Sequence, residues 1–566
     1  MKILVLSLLR LGDIIMTVPA LQGIQERYPD AEIHILINSQ FRKISPLIVP
    51  LSKVWLFPRE VLQQGLGEAD RPIFESYDRL TELVDNLNGQ EFDVVINLTH
   101  TRLSGWLASL LSAREKIGLE FGPNGRAQFG SKWIQFLNDQ VELEGREAFH
   151  YSDLFCFAVG QVDPVLSGGL RETADGVREV EKFLIDSDII GESFVVVQPL
   201  TSDEKKNWGI TKYTAVIEQF GREHSDVPVV VLGASFERGS LEKMVSDLKS
   251  QGYRVHLGLL GLEGAFSLLK RASLLLTGDT SIKHLACSTS TPVLELSLGS
   301  SDLYRTGSYQ HGSYIVQSRE KCVPCVHSQP CSQKSHLCAQ GIPVEVVSML
   351  MREIFCRRSF QLKTIAEEYQ DQIQVLEVDR RTSRAWAAFS LTDRFSEDNV
   401  GRWIDLLAKR TSLSSPASGR FDEQGMGSEI YNLFQLLKKI YSEVSDLEWK
   451  HLLHDFDQQL MFVSGRLNSL KVGLRILRGS YEDPRRLQEY VRSLMTIRDK
   501  IRHFSLLSSI KNMLDQVIED ERSAAFTRFR RMVDTVVEIE RRVNLDLKIV
   551  RGLTSQIEQP VGVDHL

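Results

Sequence analysis

Short apolar runs alternate with amphipathic segments over the first 160 residues of the chain. The apolar runs are KILVLSLL, EIHILIN and FDVVINL, and a helix-like segment follows each of them. Buried runs of this length with helical segments between them predict βαβ units in a parallel sheet. The first run stops at Arg10 and is followed by Gly12 and Asp13. It therefore predicts a strand, a turn and a helix capped by Asp13, rather than a cleaved secretory signal.

The same alternation returns after a stretch rich in glycine and acidic residues at 163–180. Five further runs predict strands: SFVVVQPL, VPVVVLG, YRVHLGL, ASLLLTG and TPVLELSL. Two doubly wound domains in series leave a ligand cleft at the carboxyl ends of their strands. We therefore expect an α/β protein, with one Rossmann-like domain over residues 1–165 and a second over 180–358.

The last third of the chain has a different pattern. A connecting region is expected over residues 359–411, in which IQVLEVDRRTSRAWAAFSL resembles a β-hairpin, and a Ser/Gly/Pro linker follows at 412–428. Apolar positions at three- and four-residue spacing then predict an all-α helical bundle over 428–566. We expect this bundle to bind a protein partner or to self-associate. Phosphotransfer at His454, on one of its helices, is an alternative.

Composition limits the classes of function that the chain can have. It has 566 residues, 42% of them hydrophobic and 25% charged, which indicates a globular protein of several domains. The formal net charge of −7 argues against binding to nucleic acid by bulk charge. No apolar stretch approaches the length of a membrane span. The expected location is cytoplasmic, with peripheral attachment at the inner face of the membrane as an alternative.

Two predicted strand ends in the second domain carry polar groups suited to phosphate. The first is PLTSDEKKNW, with the hydroxyls of Thr201 and Ser202 and the ammonium of Lys206. The second is TGDTSIKHLA, which places Asp279 and Thr280 at a helix N-terminus, where free N–H groups attract anions. A solvated charged loop and ordinary helix capping are the alternative interpretations of these two stretches.

Four of the seven cysteines lie close together in sequence. They are Cys322, Cys325, Cys331 and Cys338, spaced C-x2-C-x5-C-x6-C. This spacing suits a structural zinc site, for which His327 and His336 are alternative ligands. It equally suits cysteines that are free or paired in disulfides, and an iron–sulfur cluster is a third alternative.

Three motifs taken together resemble one known family. LGDIIMTVPAL, KNW after a Thr-Ser pair, and GDTSIKHLA occur in this order and resemble glycosyltransferase family 9, the ADP-heptose:lipopolysaccharide heptosyltransferases, over residues 1–356. The resemblance implies a GT-B fold and no metal cofactor for catalysis. It also implies an inverting transfer of a sugar, such as heptose, from a nucleoside-diphosphate sugar to a lipopolysaccharide core or related lipid-linked glycan. The alternative is a non-catalytic member that acts as a scaffold through the helical extension.

The resemblance also implies roles for individual residues. Asp13 matches the catalytic aspartate, taken as the general base, and Gly12 shapes the turn beside it. Glu237 matches an acid that binds the nucleotide ribose. The implied phosphate-binding residues are Thr201, Ser202, Lys206, Asp279, Thr280, Ser281 and His284. Ser281 stands where the family usually has glycine.

Overall fold

A computed structural model of the chain gives the architecture. It divides the chain into two units, Met1–Thr392 and Asp393–Leu566. The residues that it describes are 1–49, 51–62, 73–139, 149–161, 169–327, 329–333, 335–379, 387–392, 400, 403–404, 407–408, 430–431, 433–435, 437–438, 440–441, 443–477, 495 and 525–558.

The first unit begins with a six-stranded sheet in the order β3-β2-β1-β4-β5-β6. The strands are β1 Lys2–Ser7, β2 Glu32–Asn38, β3 Lys53–Phe57, β4 Val94–Asn97, β5 Glu115–Phe121 and β6 Ala127–Phe129. All neighbouring strands are parallel except β5 and β6. The strand order reverses between β1 and β4, and the carboxyl ends of these two strands therefore form the crevice where ligands bind in open α/β sheets.

Helices lie between the strands of the first sheet or follow its last strand. They are α1 Leu11–Arg27, α2 Ile73–Asn88, α3 Arg102–Leu110, α4 Lys132–Asp139 and α5 Tyr151–Ala158, with a 3-10 segment at Ser39–Leu47. The β1–α1–β2 and β3–α2–β4 crossovers run in opposite directions across the sheet. Because parallel crossovers are right-handed, α1 and α2 lie on opposite faces, and both faces of β1 are covered. Accordingly, Ile3, Leu4, Val5 and Leu6 are all buried.

A second sheet follows, with eight strands in the order β14-β13-β12-β11-β10-β7-β8-β9. The strands are β7 Val195–Gln198, β8 Val229–Leu232, β9 Val255–Gly258, β10 Leu274–Gly278, β11 Val293–Ser297, β12 Tyr314–Ser318, β13 Ile373–Asp379 and β14 Ala387–Ser390. Strands β7 to β12 are parallel. Strands β13 and β14 add an antiparallel edge beyond β12.

The helices after residue 170 complete the first unit. They are α6 Ala174–Asp186, α7 Ile210–Glu223, α8 Arg238–Ser250, α9 Leu262–Leu269, α10 Ser281–Ala286, α11 Leu303–Thr306, α12 Leu337–Gln340, α13 Val344–Phe355 and α14 Ser359–Glu368, with 3-10 turns at Glu204–Lys206 and Ser235–Glu237. The apolar faces of α7, α8, α13 and α14 share one core with the sheet, where Phe220 and Leu350 pack with Val195, Leu274 and Leu294. This burial of apolar surface holds the strand ends of the second sheet in place.

The hydrophobic pattern predicted most of the strands in the two sheets. Each of the eight apolar runs contains a strand, and IQVLEVDRRTSRAWAAFSL forms an antiparallel pair as predicted. The predicted α/β fold is confirmed, as are the two doubly wound sheets. The pattern missed the half-exposed β3, β5 and β6, and it also missed β12, whose five residues are all buried. It also missed that β13 pairs with β12, so that β13 and β14 extend the second sheet.

The second unit is helical where the structure describes it, as the periodicity predicted. Two long helices, α15 Asp446–Leu477 and α16 Ala525–Glu558, pack against each other. Buried contacts include Trp449, Phe456 and Leu460 on α15 and Val536 and Ile549 on α16. The linker at 412–428 and the break at Gly479 and Pro484 lie outside the described residues. No helix among the described residues is both long and apolar enough to cross a bilayer.

Candidate active site

The turn after β1 presents Asp13 in the first turn of α1. The backbone N–H of Arg10 donates to Asp13 Oδ2 at 3.0 Å, which caps the helix. Two neighbouring strand ends hold this turn. Asn38 Nδ2 donates to the carbonyl oxygens of Leu8 and Leu9 at 2.8 and 2.9 Å. The Leu8 N–H donates to Thr99 Oγ1 at 2.8 Å. The carboxylate of Asp13 is therefore fixed by the crevice between β1 and β4.

Gly12 brings this turn against the second sheet. A Cβ at Gly12 would lie 2.8 Å from Cδ2 of His284, on helix α10. Real Cβ atoms do not approach a side chain this closely, so any larger residue would force the His284 ring or the two sheets to move. The structure thus gives a steric reason for the glycine in LGD. It also shows that motifs about 270 residues apart in the sequence form one site.

The turn after β10 forms the other side of the site. Asp279 Oδ2 lies 2.6 Å from Lys206 Nζ, and Asp279 Oδ1 lies 2.5 Å from Lys283 Nζ. His284 Nε2 is 3.9 Å from Asp279 Oδ1. Lys206 reaches this position from the 3-10 turn after β7, because Gly278 allows that turn to pack closely at Thr201 Cγ2. The carboxylate of Asp279 therefore joins two strand ends and two ammonium groups.

The two aspartates have opposite electrostatic surroundings. Exclusion of water raises the pKa of Asp13 to about 6, and Asp279 adds to this rise while Arg10 and Lys206 oppose it. Burial alone would also raise the pKa of Asp279, but Lys283 and Lys206 hold it below its usual range. One carboxyl is therefore poised to exchange a proton near neutral pH, and the other stays ionised.

His284 is a neutral side chain in this site. It is buried, and burial together with the cations of Lys283 and Lys206 lowers its pKa to about 3. The nearby carboxylate of Asp279 does not outweigh these effects. His284 therefore contributes ring surface and a hydrogen-bonding nitrogen rather than a positive charge.

Two of the predicted phosphate-binding hydroxyl groups make hydrogen bonds within their own backbone turns. The Thr201 hydroxyl donates to the Asp203 carbonyl oxygen at 2.6 Å. Thr280 Oγ1 accepts from the Lys283 N–H at 3.3 Å and donates to Gln198 Oε1 at 3.0 Å. Ser202 is exposed, and Ser281 begins α10, a helix of only six residues. Lys206 is thus the predicted side chain best placed to meet an anion.

Glu237 lies at the end of β8, away from the contacts that join Asp279 and Lys206. Its Oε2 accepts from the Ala234 N–H at 2.7 Å and closes the 3-10 turn Ser235–Glu237. The adjacent Phe236 is almost fully exposed. The ribose role of Glu237 stays a prediction, and its described hydrogen bond is structural.

Sequence reasoning missed a group of residues beside Asp13. Tyr151, at the start of α5, is hydrogen-bonded to the Arg305 side chain and lies close enough to Asp13 for burial and that carboxylate to raise its pKa. The ring of His100, which follows β4, is 6.2 Å from the ring of Tyr151. Arg305 Nε also lies 3.1 Å from Asp302 Oδ2. No motif marks these residues, because only the folded chain brings the ends of β4 and β11 together.

The cysteine-rich loop reaches the same site. His327 Nε2 lies 2.7 Å from Arg10 Nη2, at the start of α1. Lys205, next to Lys206, donates to the carbonyl oxygens of His327 and Gln329 at 2.9 and 2.7 Å. The loop is therefore attached to both halves of the site, although sequence reasoning considered it only as a metal site.

The four clustered cysteines are free thiols in the structure. Burial, and then the neighbouring Cys322, Cys338 and Cys331, raise the pKa of Cys325, so the four sulfur atoms lie in one neighbourhood. Within the described part of the chain, no group of three or more His, Cys, Asp or Glu side chains is arranged to hold a metal ion. The zinc site stays a prediction, and no catalytic step is derived through it.

Part of the chain is similar to known proteins of one family. Residues 80–336 match the model of glycosyltransferase family 9 (heptosyltransferase). Lipopolysaccharide heptosyltransferase 3 of Escherichia coli is 22% identical over 288 residues, which make up 50% of this chain and 80% of that protein. Lipopolysaccharide core heptosyltransferase OpsX of Haemophilus influenzae is 22% identical over 334 residues, 58% of this chain and 88% of that protein. A solved glycosyl transferase family 9 structure from Veillonella parvula covers 63% of this chain and 97% of its own, with a TM-score of 0.49 and 16% identity.

Two Rossmann-like sheets that share one site between their strand ends are the arrangement of the GT-B fold. The family match over residues 80–336 identifies the class of protein as a glycosyltransferase. Residues 80–336 belong to glycosyltransferase family 9, which confirms the predicted family over this segment. Two of the three motifs, KNW and GDTSIKHLA, lie within it. This segment contains Lys206 and Asp279 but begins after Asp13. The place of Asp13 in the site therefore rests on its contacts and not on the matched segment.

Proposed function

We propose that the chain transfers a heptose from ADP-heptose to a lipopolysaccharide core acceptor, with inversion at the anomeric carbon. The observation that carries the proposal is the meeting of Asp13, raised in pKa to about 6, with the Lys206–Asp279 pair of the second sheet. The family of residues 80–336 and the heptosyltransferases that the chain resembles support the choice of sugar and acceptor.

Asp13 serves as the general base in this proposal. The acceptor hydroxyl attacks the anomeric carbon, the bond from that carbon to the diphosphate oxygen breaks, and the hydroxyl proton passes to the Asp13 carboxylate. A carboxyl with a pKa of about 6 is still roughly nine-tenths ionised at pH 7, and it is a stronger base than an ordinary aspartate. The hydrogen bond from the Arg10 N–H holds the Asp13 carboxylate in a fixed orientation at the crevice.

Lys206 stabilises the leaving group in this proposal. Negative charge gathers on the nucleoside diphosphate as the bond to the sugar breaks, and an ammonium already in place stabilises that charge without rearrangement. The Lys206 side chain is only 12% exposed, so little water screens its charge. We also propose that the donor site around Lys206 is lined by Thr201, Ser202, Ser281 and Glu237.

The alternative of a non-catalytic scaffold is not favoured. A scaffold has no need of a buried Lys206–Asp279 pair at the strand ends, or of a carboxyl whose pKa is raised beside it. Binding of a protein partner through residues 428–566, and attachment at the inner face of the membrane, stay proposals.

A donor panel tests the proposed function. Purified full-length chain is incubated with ADP-heptose, other ADP-sugars or UDP-sugars, and with lipopolysaccharide whose core lacks heptose. Heptose transferred from ADP-heptose with inverted anomeric configuration, read by mass spectrometry and NMR, is the expected result. Specific transfer from a different nucleotide sugar would overturn the choice of donor, and calorimetry showing no binding of any nucleotide sugar would revive the scaffold.

A structural zinc at the cysteine cluster is a separate proposal, supported by the spacing and proximity of its four thiols. Such a metal would fasten the loop that carries His327 and would take no part in the transfer. Metal analysis of protein purified without chelator should show about one zinc per chain. Four titratable thiols and no bound metal would contradict this proposal.

A further inference from the structure

A fully buried lysine lies behind the proposed phosphate site. The Lys283 side chain has 0% of its surface exposed, which is rare for lysine unless it is paired. Its ammonium contacts Asp279 Oδ1 at 2.5 Å, Glu295 Oε1 at 2.9 Å and the Thr306 carbonyl oxygen at 2.7 Å. These three acceptors match its three N–H donors. Burial alone would lower the pKa of Lys283, but Asp279 and Glu295 raise it, so the side chain is charged.

Lys283 is one of four charged groups that alternate in sign. The order in space is Glu295, Lys283, Asp279 and Lys206. Glu295 Oε2, at the deep end, accepts from the Ser308 N–H at 2.6 Å and from its hydroxyl at 2.8 Å. Two carboxylates and two ammonium groups balance in charge. Lys206 is the most exposed side chain of the four, and the charges of both Lys206 and Asp279 act on the pKa of Asp13.

This order determines what Lys206 can do. If Asp279 had Lys206 as its single partner, a diphosphate that attracted Lys206 would leave a buried carboxylate unpaired, which is costly. The unpaired carboxylate would also repel the diphosphate. Lys283 removes both costs, because it holds the other oxygen of Asp279 from the buried side.

We propose that Lys283 is a positioning residue that keeps Asp279 charged and held from within, so that Lys206 is free to bind the diphosphate of the donor. The inference rests on the proposed function of Lys206. It assigns to Lys283 and Glu295 a role that a purely structural buried pair would not have, since their effect on the donor must pass through Asp279.

The test measures ADP binding by calorimetry in full-length variants. Lys283→Met with Glu295→Gln removes the inner pair without leaving an unpaired charge. We expect ADP affinity to fall by about tenfold or more, the usual cost of a lost charged hydrogen bond. Adding Asp279→Asn should then restore most of the affinity, because Lys206 is released again. Lys212→Met is the matched control, since Lys212 donates to the carbonyl oxygens of Ala339 and Ile342, and its ADP affinity should stay within about twofold.

The outcomes separate the inference from the proposed function. Unchanged ADP affinity in Lys206→Ala would overturn the proposed role of Lys206, and the inference with it. If Lys206→Ala weakens ADP binding, two results would overturn the inference alone. One is that Lys283→Met with Glu295→Gln binds ADP as tightly as the wild type. The other is that adding Asp279→Asn to that variant does not recover the lost ADP affinity.

A second measurement uses the wild-type chain, so it tests the inference even if Lys283→Met with Glu295→Gln does not fold. In the wild-type chain labelled with ¹³C, the Asp279 carboxyl should stay ionised from about pH 5 to about pH 8, with and without saturating ADP. Protonation of Asp279 when ADP binds would overturn the inference.

Discussion

The two aspartates of the site have the same side chain and opposite surroundings. Asp13, in the turn after β1, accepts a single described hydrogen bond, from the Arg10 N–H, and has its pKa raised to about 6. Asp279, in the turn after β10, lies between the ammonium groups of Lys206 and Lys283 and has its pKa held low. The difference shows how one fold can place a base and a permanent anion side by side, by the partners that each strand end supplies.

Removing the base should have the largest effect. Asp13→Asn keeps the shape of the side chain and its place in the turn, but it cannot take a proton. We expect turnover to fall by at least ~100-fold, with ADP affinity close to that of the wild type. Steady-state kinetics and calorimetry on the same preparation measure the two quantities. Asp30→Asn, an exposed carboxylate after α1, is the control, and equal turnover in Asp13→Asn and wild type would place the base elsewhere.

Removing the ammonium group of Lys206 should have the next largest effect. This effect should fall on ADP binding and not on proton transfer. Lys206→Ala deletes the group that faces the donor diphosphate. ADP binding should weaken by about 1.5–3 kcal/mol, or roughly 10- to 150-fold, as for hydrogen bonds to charged groups. Calorimetry gives the affinity, and Lys243→Ala, on the exposed side of α8, should not change it. Equal affinity in Lys206→Ala and wild type would contradict this role.

A smaller effect is expected where the two turns touch. Gly12→Ala places a methyl group 2.8 Å from Cδ2 of His284, so the sheets or the ring must move. We expect a loss of about 1–3 kcal/mol in the free energy of unfolding, with reduced turnover. Gly239→Ala, in a helix where no atom lies within 4 Å of the new Cβ, should instead stabilise the chain by up to about 1 kcal/mol. Thermal denaturation of both variants tests the contrast, and a stabilised Gly12→Ala would refute the close approach.

The sequence was enough to predict which strand ends carry the charged residues of the site, but not which polar side chains are left to meet a ligand. The apolar runs predicted β1, β7 and β10, and their ends carry Asp13, Lys206 and Asp279. The sequence could not show that Thr201 and Thr280 use their hydroxyls within their own turns, because capping and ligand binding require the same residue types.

Other parts of the site depend on contacts that no local pattern encodes. From the sequence alone, Lys283 is a polar residue on a short helix and is expected to be exposed. In the structure it is buried, because β11 places the carboxylate of Glu295 beside its ammonium group. Tyr151 and Arg305 meet beside Asp13 although they are more than 150 residues apart. The contact of His327 with Arg10 likewise gives the cysteine-rich loop a place in the site that its spacing did not indicate.

The pH dependence of kcat/KM for sugar transfer tests the central claim, that Asp13 is the base, most directly. A base works only when ionised, so the rate should be constant above neutral pH and should fall tenfold per pH unit below an apparent pKa of about 6. Asp279 is ionised throughout this range and should add no second step. A profile that is flat down to about pH 5, with its midpoint near the ordinary aspartate value of about 4, would contradict the account.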